Sequence, residues 1–307
     1  MKYSTSVVAL AAVGTVSGSP ITTKRDISDI DILNYALTLE HLEDKFYREG
    51  LANYTQADFI VAGFAEPFYS NLKEISNDEM THVSFLTKAL GSAAVAECTY
   101  SFPSTDPTSF VALASVLEGV VSPHIILDTT YLTAAGSILT VESRHSTYLL
   151  TSQKKSPFPT AFDTPLSFNE TYTLAAPFIL SCPSSNAALP IKAFPALTLN
   201  NTSKPGPIAS GDEITLLVPD LQTNGTNAST DTSAEETEAK GKIYAAFITA
   251  TGPIFADAVE SEEEGRYKVV VPQGVGNGQS YVVLTMCDRE VSDDTVVAGP
   301  VVVEVGN

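Results

Sequence analysis

Two Glu-x-x-His pairs, Glu79 with His82 and Glu142 with His145, constrain this chain more than any other feature: they use two of its four histidines and both interrupt apolar stripes. Residues spaced alternately three and four apart share one face of a helix, the face that a bundle turns inward. Four segments of the first half read at that period, about 28–49, 59–90, 108–127 and 130–154. The first stripe runs Ile30, Leu33, Leu37, Glu40 and on to Tyr47, and the second Leu72, Ile75, Glu79, His82, Leu86. The third runs Val111, Ala114, Glu118, Val121, Ile125, and the fourth Ala135, Ile138, Glu142, His145, Leu149. A carboxylate breaks every one of them.

Packing alone does not explain such a pattern. A lone carboxylate in a bundle core costs several kcal/mol unless it is paired, neutralised or bound to a metal. Four at one level repel one another, whereas two divalent ions balance their charge and neutral imidazoles add nitrogen ligands. One Glu from each of two helices, with Glu-x-x-His from each of the other two, is the ligand set of two-metal carboxylate bundles that hold iron or manganese. The stripes therefore name Glu40, Glu79, His82, Glu118, Glu142 and His145 as ligands of a pair of Fe or Mn ions. The competing reading is a set of surface carboxylates on helices of a different phase.

Neighbouring residues carry lesser expectations. Tyr47 lies two turns beyond Glu40 on the same face, as a hydrogen-bond donor to the site, a redox-active phenol or an ordinary core tyrosine. Glu43 is an alternative ligand if that helix is rotated. His124, beside Pro123, has no partner at ligand spacing, while Arg144 and Glu74 read as solvated charges.

Both ends and the glycosylation triplets speak to compartment. Lys2, the ten-residue apolar run 7–16 (VVALAAVGTV) and small residues at 17–19 read as a signal peptide over 1–18. A short pro-segment, 19–25, ends in the dibasic Lys24-Arg25. N-x-S/T triplets stand at Asn53, Asn169, Asn200, Asn201, Asn224 and Asn227. The expectation is a secreted glycoprotein, released or held at the cell wall by non-covalent contacts, with no membrane span. Among the cysteines, Cys98 and Cys182 are the better-placed pair for a disulfide, and Cys287, within an apolar strand, reads as a buried thiol; the sequence leaves the pairing open. A net charge of −19 with no basic run argues against nucleic acid as a partner.

The period changes along the chain. Residues 26–155 form the four-helix bundle, and 156–205, rich in Pro, Ser and Asn, an irregular strap packed across it. Residues 206–307 carry short β-rich runs at 213–218, 242–250, 253–259, 266–271, 279–287 and 300–305, separated by turn residues. These predict a small antiparallel, immunoglobulin-like β-sandwich, and the whole chain an α+β multidomain fold. The polar stretch 222–241 reads as a disordered glycosylated loop.

The stretches LNYALTLEHLEDKFYREGL (33–51), NDEMTHVSFLTKAL (77–90) and LTAAGSILTVESRHSTYLL (132–150) resemble the secreted fungal ferritin-like proteins. That group is described as stress-response or late-sexual-development proteins and is similar to plant desiccation-related ferritin-like proteins. The resemblance extends into the tail with SYVVLTMC (280–287) and DDTVVAGPVVVEV (293–305). It implies a ferritin-like bundle with ligands at the six stripe positions, and Tyr47 in the place of the tyrosine often found near such sites. The interval from Glu118 to Glu142 is short for the wider ferritin-like superfamily, which makes Glu118 the weakest member of that ligand set. Two functions from different classes follow. One is a stress- or development-related oxidoreductase using dioxygen or peroxide; the other is a non-enzymatic wall or spore-surface glycoprotein whose metal is structural or sequestered.

Overall fold

A computed structural model describes residues 27–120, 129–200, 206–219 and 242–306. The expectations for 1–25, for Pro123, His124, Val121 and Ile125, for Asn201, Asn224 and Asn227, and for the loop 222–241 fall outside those residues.

Helix starts are written in the local sequence. Ser28 opens α1 (Asp29–Asn53), accepting from the Asp31 amide while its own amide and hydroxyl donate to the Asp31 carboxylate. Thr55 and Asp58 repeat the device for α2 (Gln56–Val61), and Asp106 with Ser109 for α4 (Pro107–Glu118), where Pro107 occupies a position with no intrahelical N–H bond to lose. The segment expected as one helix over 59–90 is two, α2 and α3 (Phe68–Leu90). Gly63 turns the chain at φ +97°, and Pro67, lacking an N–H, stands at the cap of α3. The fourth long helix, α5, spans Thr129–Ser152.

In the bundle α1 lies along α3 and α4 along α5. Leu33, Leu37, Leu72, Ile75, Val111, Ala114 and Leu149 are buried as the stripes require, but Ile30 is 57% exposed. At the first turn a 3.6-residue helix has drifted out of phase with a 3.5-residue stripe, and Ile32 turns inward instead. One end of the bundle is aromatic: Phe46 stacks on Phe110 at 4.5 Å, and Phe59 lies within 5.6 Å of Phe68. Gly50 is what admits Phe110, because a Cβ there would sit 2.0 Å from its ring.

Residues 156–205 are more regular than expected. They contain α6 (Phe168–Ala175), capped by Ser167 with Glu170, a Ser-x-x-Glu signal present in the sequence but masked by the surrounding Pro and Ser. They also supply two strands. β2 (Ile179–Ser181) pairs antiparallel with β1 (Thr99–Tyr100), and a disulfide joins Cys98 to Cys182 beside that pair. β3 (Thr198–Asn200) edges the larger sheet.

The β domain is antiparallel throughout its named strands. Its seven strands run β3, β4 (Glu213–Leu217), β7 (Arg266–Val270), β6 (Ile254–Glu260), β5 (Tyr244–Ile248), β8 (Gly278–Thr285), β9 (Val296–Val305) across the sheet. The layers of the expected sandwich belong to one folded sheet. β6 pairs with β5 through Ile254 and Asp257, then with β7 from Ala258 to Glu260, so the sheet turns over at that strand. The far edges approach, with Ile208 bridging Val305 to nearly close the sheet. Inside lie Ile214, Leu216, Phe247, Val269, Val282, Leu284 and Val303. The opposite faces of β5 and β8 (Ala246, Ile248, Tyr281, Val283) pack with Val120 and Leu166. β8 is thus buried on both faces, which is why it reads as a continuous apolar run rather than an alternating one. Cys287 lies beyond β8, reduced and only partly buried, since the strand ends at Thr285. No helix among the described residues is long and apolar enough to cross a membrane.

Candidate metal centre

Four helices deliver the six expected side chains to one place: Glu40 from α1, Glu79 and His82 from α3, Glu118 from the last residue of α4, and Glu142 and His145 from α5. All six are buried, Glu79 completely. They form two overlapping groups, Glu40, Glu79, His82 and Glu142, and Glu79, Glu118, Glu142 and His145. Within each, one ligand atom per residue lies within 4.8 Å of the others. Glu79 and Glu142 belong to both, so each reaches both halves of the site.

The imidazoles face the carboxylates. His82 Nδ1 is 3.2 Å from Glu40, 3.3 Å from Glu79 and 3.1 Å from Glu142. His145 Nδ1 is 3.0 Å from Glu79 and 3.5 Å from Glu118. The outer nitrogen of His145, Nε2, meets Asp78 at 3.2 Å, the arrangement by which a carboxylate orients a ligating imidazole. Asp78 was not singled out from the sequence. Its only signal is adjacency to Glu79, and the pairing reaches across helices. The Tyr47 hydroxyl donates to Glu118 Oε1, so the phenol is both a core side chain and a partner of the site.

The remaining candidates separate cleanly. Glu43 is buried within the field of Glu142, Glu118, Glu79 and Glu40 but outside both ligand groups. His41 turns its Nε2 to the Val95 carbonyl at 3.2 Å, and Arg144 and Glu74 are exposed.

Electrostatics test whether metal ions fit here. Burial, with the charges of Glu142 and Glu79, pushes the Glu40 carboxyl up to about 8 despite the His82 imidazole 3.2 Å away. Burial and the same neighbours hold Glu43 and Glu118 well above the usual carboxylate range. Burial pushes His82 down, but the Glu142, Glu40 and Glu79 carboxylates within 3.1–3.3 Å of its Nδ1 outweigh this and carry it up to about 12. Glu142 is opposed by burial yet held down to about 2 by His145 and His82. The cluster thus gathers four buried carboxylates around two imidazoles. Even so, Glu40 Oε2, Glu79 Oε1, Glu118 Oε2, both Glu142 oxygens and His145 Nδ1 make no hydrogen bond of acceptable geometry. Buried polar atoms are rarely left this way. Clustered oxygen and nitrogen donors lacking partners are what a pair of cations would satisfy, and the residues fit.

The fold and the donor set together define a carboxylate–histidine bundle compatible with two metals. Residues 28–155 match the family model described as a ferritin-like domain, and the helical part of this chain is a ferritin-like domain, followed by an antiparallel β domain. The chain is also similar to Protein rds1 of Schizosaccharomyces pombe, 30% identical over 190 residues, which are 58% of this chain and 46% of that protein. It thus spans less than half the length of the curated relative it matches.

Proposed function

We propose that this is a secreted ferritin-like protein that holds two iron or manganese ions at Glu40, Glu79, His82, Glu118, Glu142 and His145, and that the centre is an oxidoreductase acting on dioxygen or peroxide. One observation carries the reading: buried oxygens and an imidazole nitrogen from separate helices converge on one another without making hydrogen bonds of acceptable geometry. Bound iron or manganese supplies one-electron redox chemistry and Lewis acidity at such a site. The chain contributes the rest. Asp78 holds the His145 ring so that Nδ1 faces the carboxylates. Tyr47 engages one oxygen of Glu118 and leaves the other turned to the site. Burial keeps bulk water from the donors.

Secretion is supported by the apolar run 7–16, the dibasic Lys24-Arg25 and the N-x-S/T triplets. The disulfide Cys98–Cys182 suits an oxidising compartment. A role in stress or development rests on the family resemblance of the sequence.

Elemental analysis of the purified full chain beside a Glu79→Ala/His82→Ala variant tests the site. Two metal ions per wild-type chain and their loss in the variant are expected; a metal-free wild type after iron or manganese loading overturns the proposal. Consumption of dioxygen or peroxide by the reduced, loaded protein then separates an oxidoreductase from a protein in which removing metal changes only the melting temperature.

A further inference from the structure

Beside the metal centre lies a cavity of about 170 Å³ between α1, α3 and α5. Its origin is legible in the helices. Small side chains, Ala36 on α1 and the run Ala134, Ala135, Gly136 on α5, stand where their neighbours carry Leu and Ile. Its floor includes Leu33 and Leu86, both buried, and where it meets solvent it is flanked by exposed Phe85 and Leu132. Among the described residues the lining contains no Lys, Arg or His, and its carboxylates are Glu40 and Glu43. The phenol of Tyr35, also in the wall, is committed to the Phe168 carbonyl at 3.4 Å. Glu40 is at once a member of the ligand set, its Oε2 facing His82 Nδ1 at 3.2 Å, and a wall of the cavity.

Size and polarity select the occupant. An apolar cavity of roughly 150 Å³ lined by Leu, Ile and Phe stays dry and takes up benzene or xenon. This one is of similar size, its wall is mainly aliphatic and aromatic apart from Glu40 and Glu43 at one side, and among the described residues it offers no cation to hold an anionic group. We propose that it is a substrate site for a small, neutral, apolar molecule about one aromatic ring in size, bound with one edge at Glu40. The inference rests on the metal centre proposed above, since Glu40 joins the two, and it narrows that centre's second reactant to an apolar compound.

Toluene is a suitable probe, with calorimetry and ligand-observed NMR on the full chain, both metal-free and metal-loaded. Saturable binding to wild type is expected. Ala135→Phe, which fills the cavity from α5, should weaken it at least tenfold while metal content stays at the wild-type value. Ala36→Leu fills the same space from α1 more gently and serves if the larger change unfolds the bundle. Absence of toluene binding to wild type, or equal affinity in wild type and a folded filled variant, overturns the proposal. So does uptake of xenon without toluene, which marks a gas passage. Metal content is read separately in every sample, so a failed metal centre and a failed cavity are distinguishable.

Discussion

Tyr281→Phe tests whether the β domain helps to hold the metal centre. Tyr281, on β8, is 2% exposed, and its hydroxyl donates to the Gly119 carbonyl at 2.6 Å while accepting from Gln279 Nε2 at 2.7 Å. Gln279 Nε2 also donates to the Val116 carbonyl at 3.3 Å. These bonds grip the last turn of α4, and Glu118 is its final residue. Gly119 lets the Gln279 amide approach closely, since a Cβ there would lie 2.7 Å from its nitrogen and push that side chain aside. Removing the hydroxyl deletes both of its bonds and leaves the Gly119 carbonyl short of a donor, about 1–3 kcal/mol. For a chain of this size that lowers the melting temperature by roughly 2–4 °C per kcal/mol. The second consequence is specific: a loosened α4 terminus frees Glu118, which belongs to only one of the two ligand groups. Titration with iron(II) or manganese(II), followed by elemental analysis, should show one ion bound as in wild type and the other weakened several-fold. Lost stability with both ions bound as tightly as in wild type refutes the idea that the β domain positions Glu118. An unchanged melting temperature refutes the hydrogen bond itself.

Other outcomes follow from the same geometry. Without metal, Glu40 titrates near 8 in the folded chain against 4.5 unfolded, so the folded state binds more protons in that window and its stability falls as pH rises from about 4.5 through 8. Glu142, held near 2, acts oppositely and withdraws stability as pH falls below 4.5. Metal-free melting temperature should therefore peak in mildly acidic buffer, while the gain on adding metal grows toward alkaline pH; a metal-free protein that stabilises steadily from pH 5 to 8 contradicts this. Cys98→Ser/Cys182→Ser opens a cross-link spanning 84 residues and should cost about 4–5 kcal/mol on the chain-entropy account, read by denaturant unfolding, whereas Cys287→Ser should be nearly silent. Gly50→Val would force a side chain into the Phe110 ring and should destabilise by roughly 1–3 kcal/mol, a loss that Gly50→Val/Phe110→Leu partly restores in thermal melts.

The amino-acid sequence by itself determined the bundle and named the six side chains that converge inside it, because both are local properties. A helix places i, i+3 and i+7 on one face whatever surrounds it, so a carboxylate breaking an apolar stripe announces a buried polar site before any contact is known. Capping boxes at Ser28, Thr55 and Asp106 are local for the same reason. Tertiary structure decided what depends on elements distant in the chain. Asp78 meets His145 across 67 positions and Tyr281 reaches Gly119 across 162, whereas the break between α2 and α3 at Gly63 and Pro67 is itself a local turn signal. The pairing of Cys98 with Cys182 was left open by three cysteines and is resolved by the β1–β2 strand pair beside it. The single folded sheet was likewise illegible, since strand order and the turn-over at β6 are facts of pairing, and periodicity reports which face is buried, not which neighbour covers it. The cavity at Glu40 is of the same kind: Ala36 and Ala135 are ordinary small residues in sequence, and they leave a space only because the helices bring them to one site.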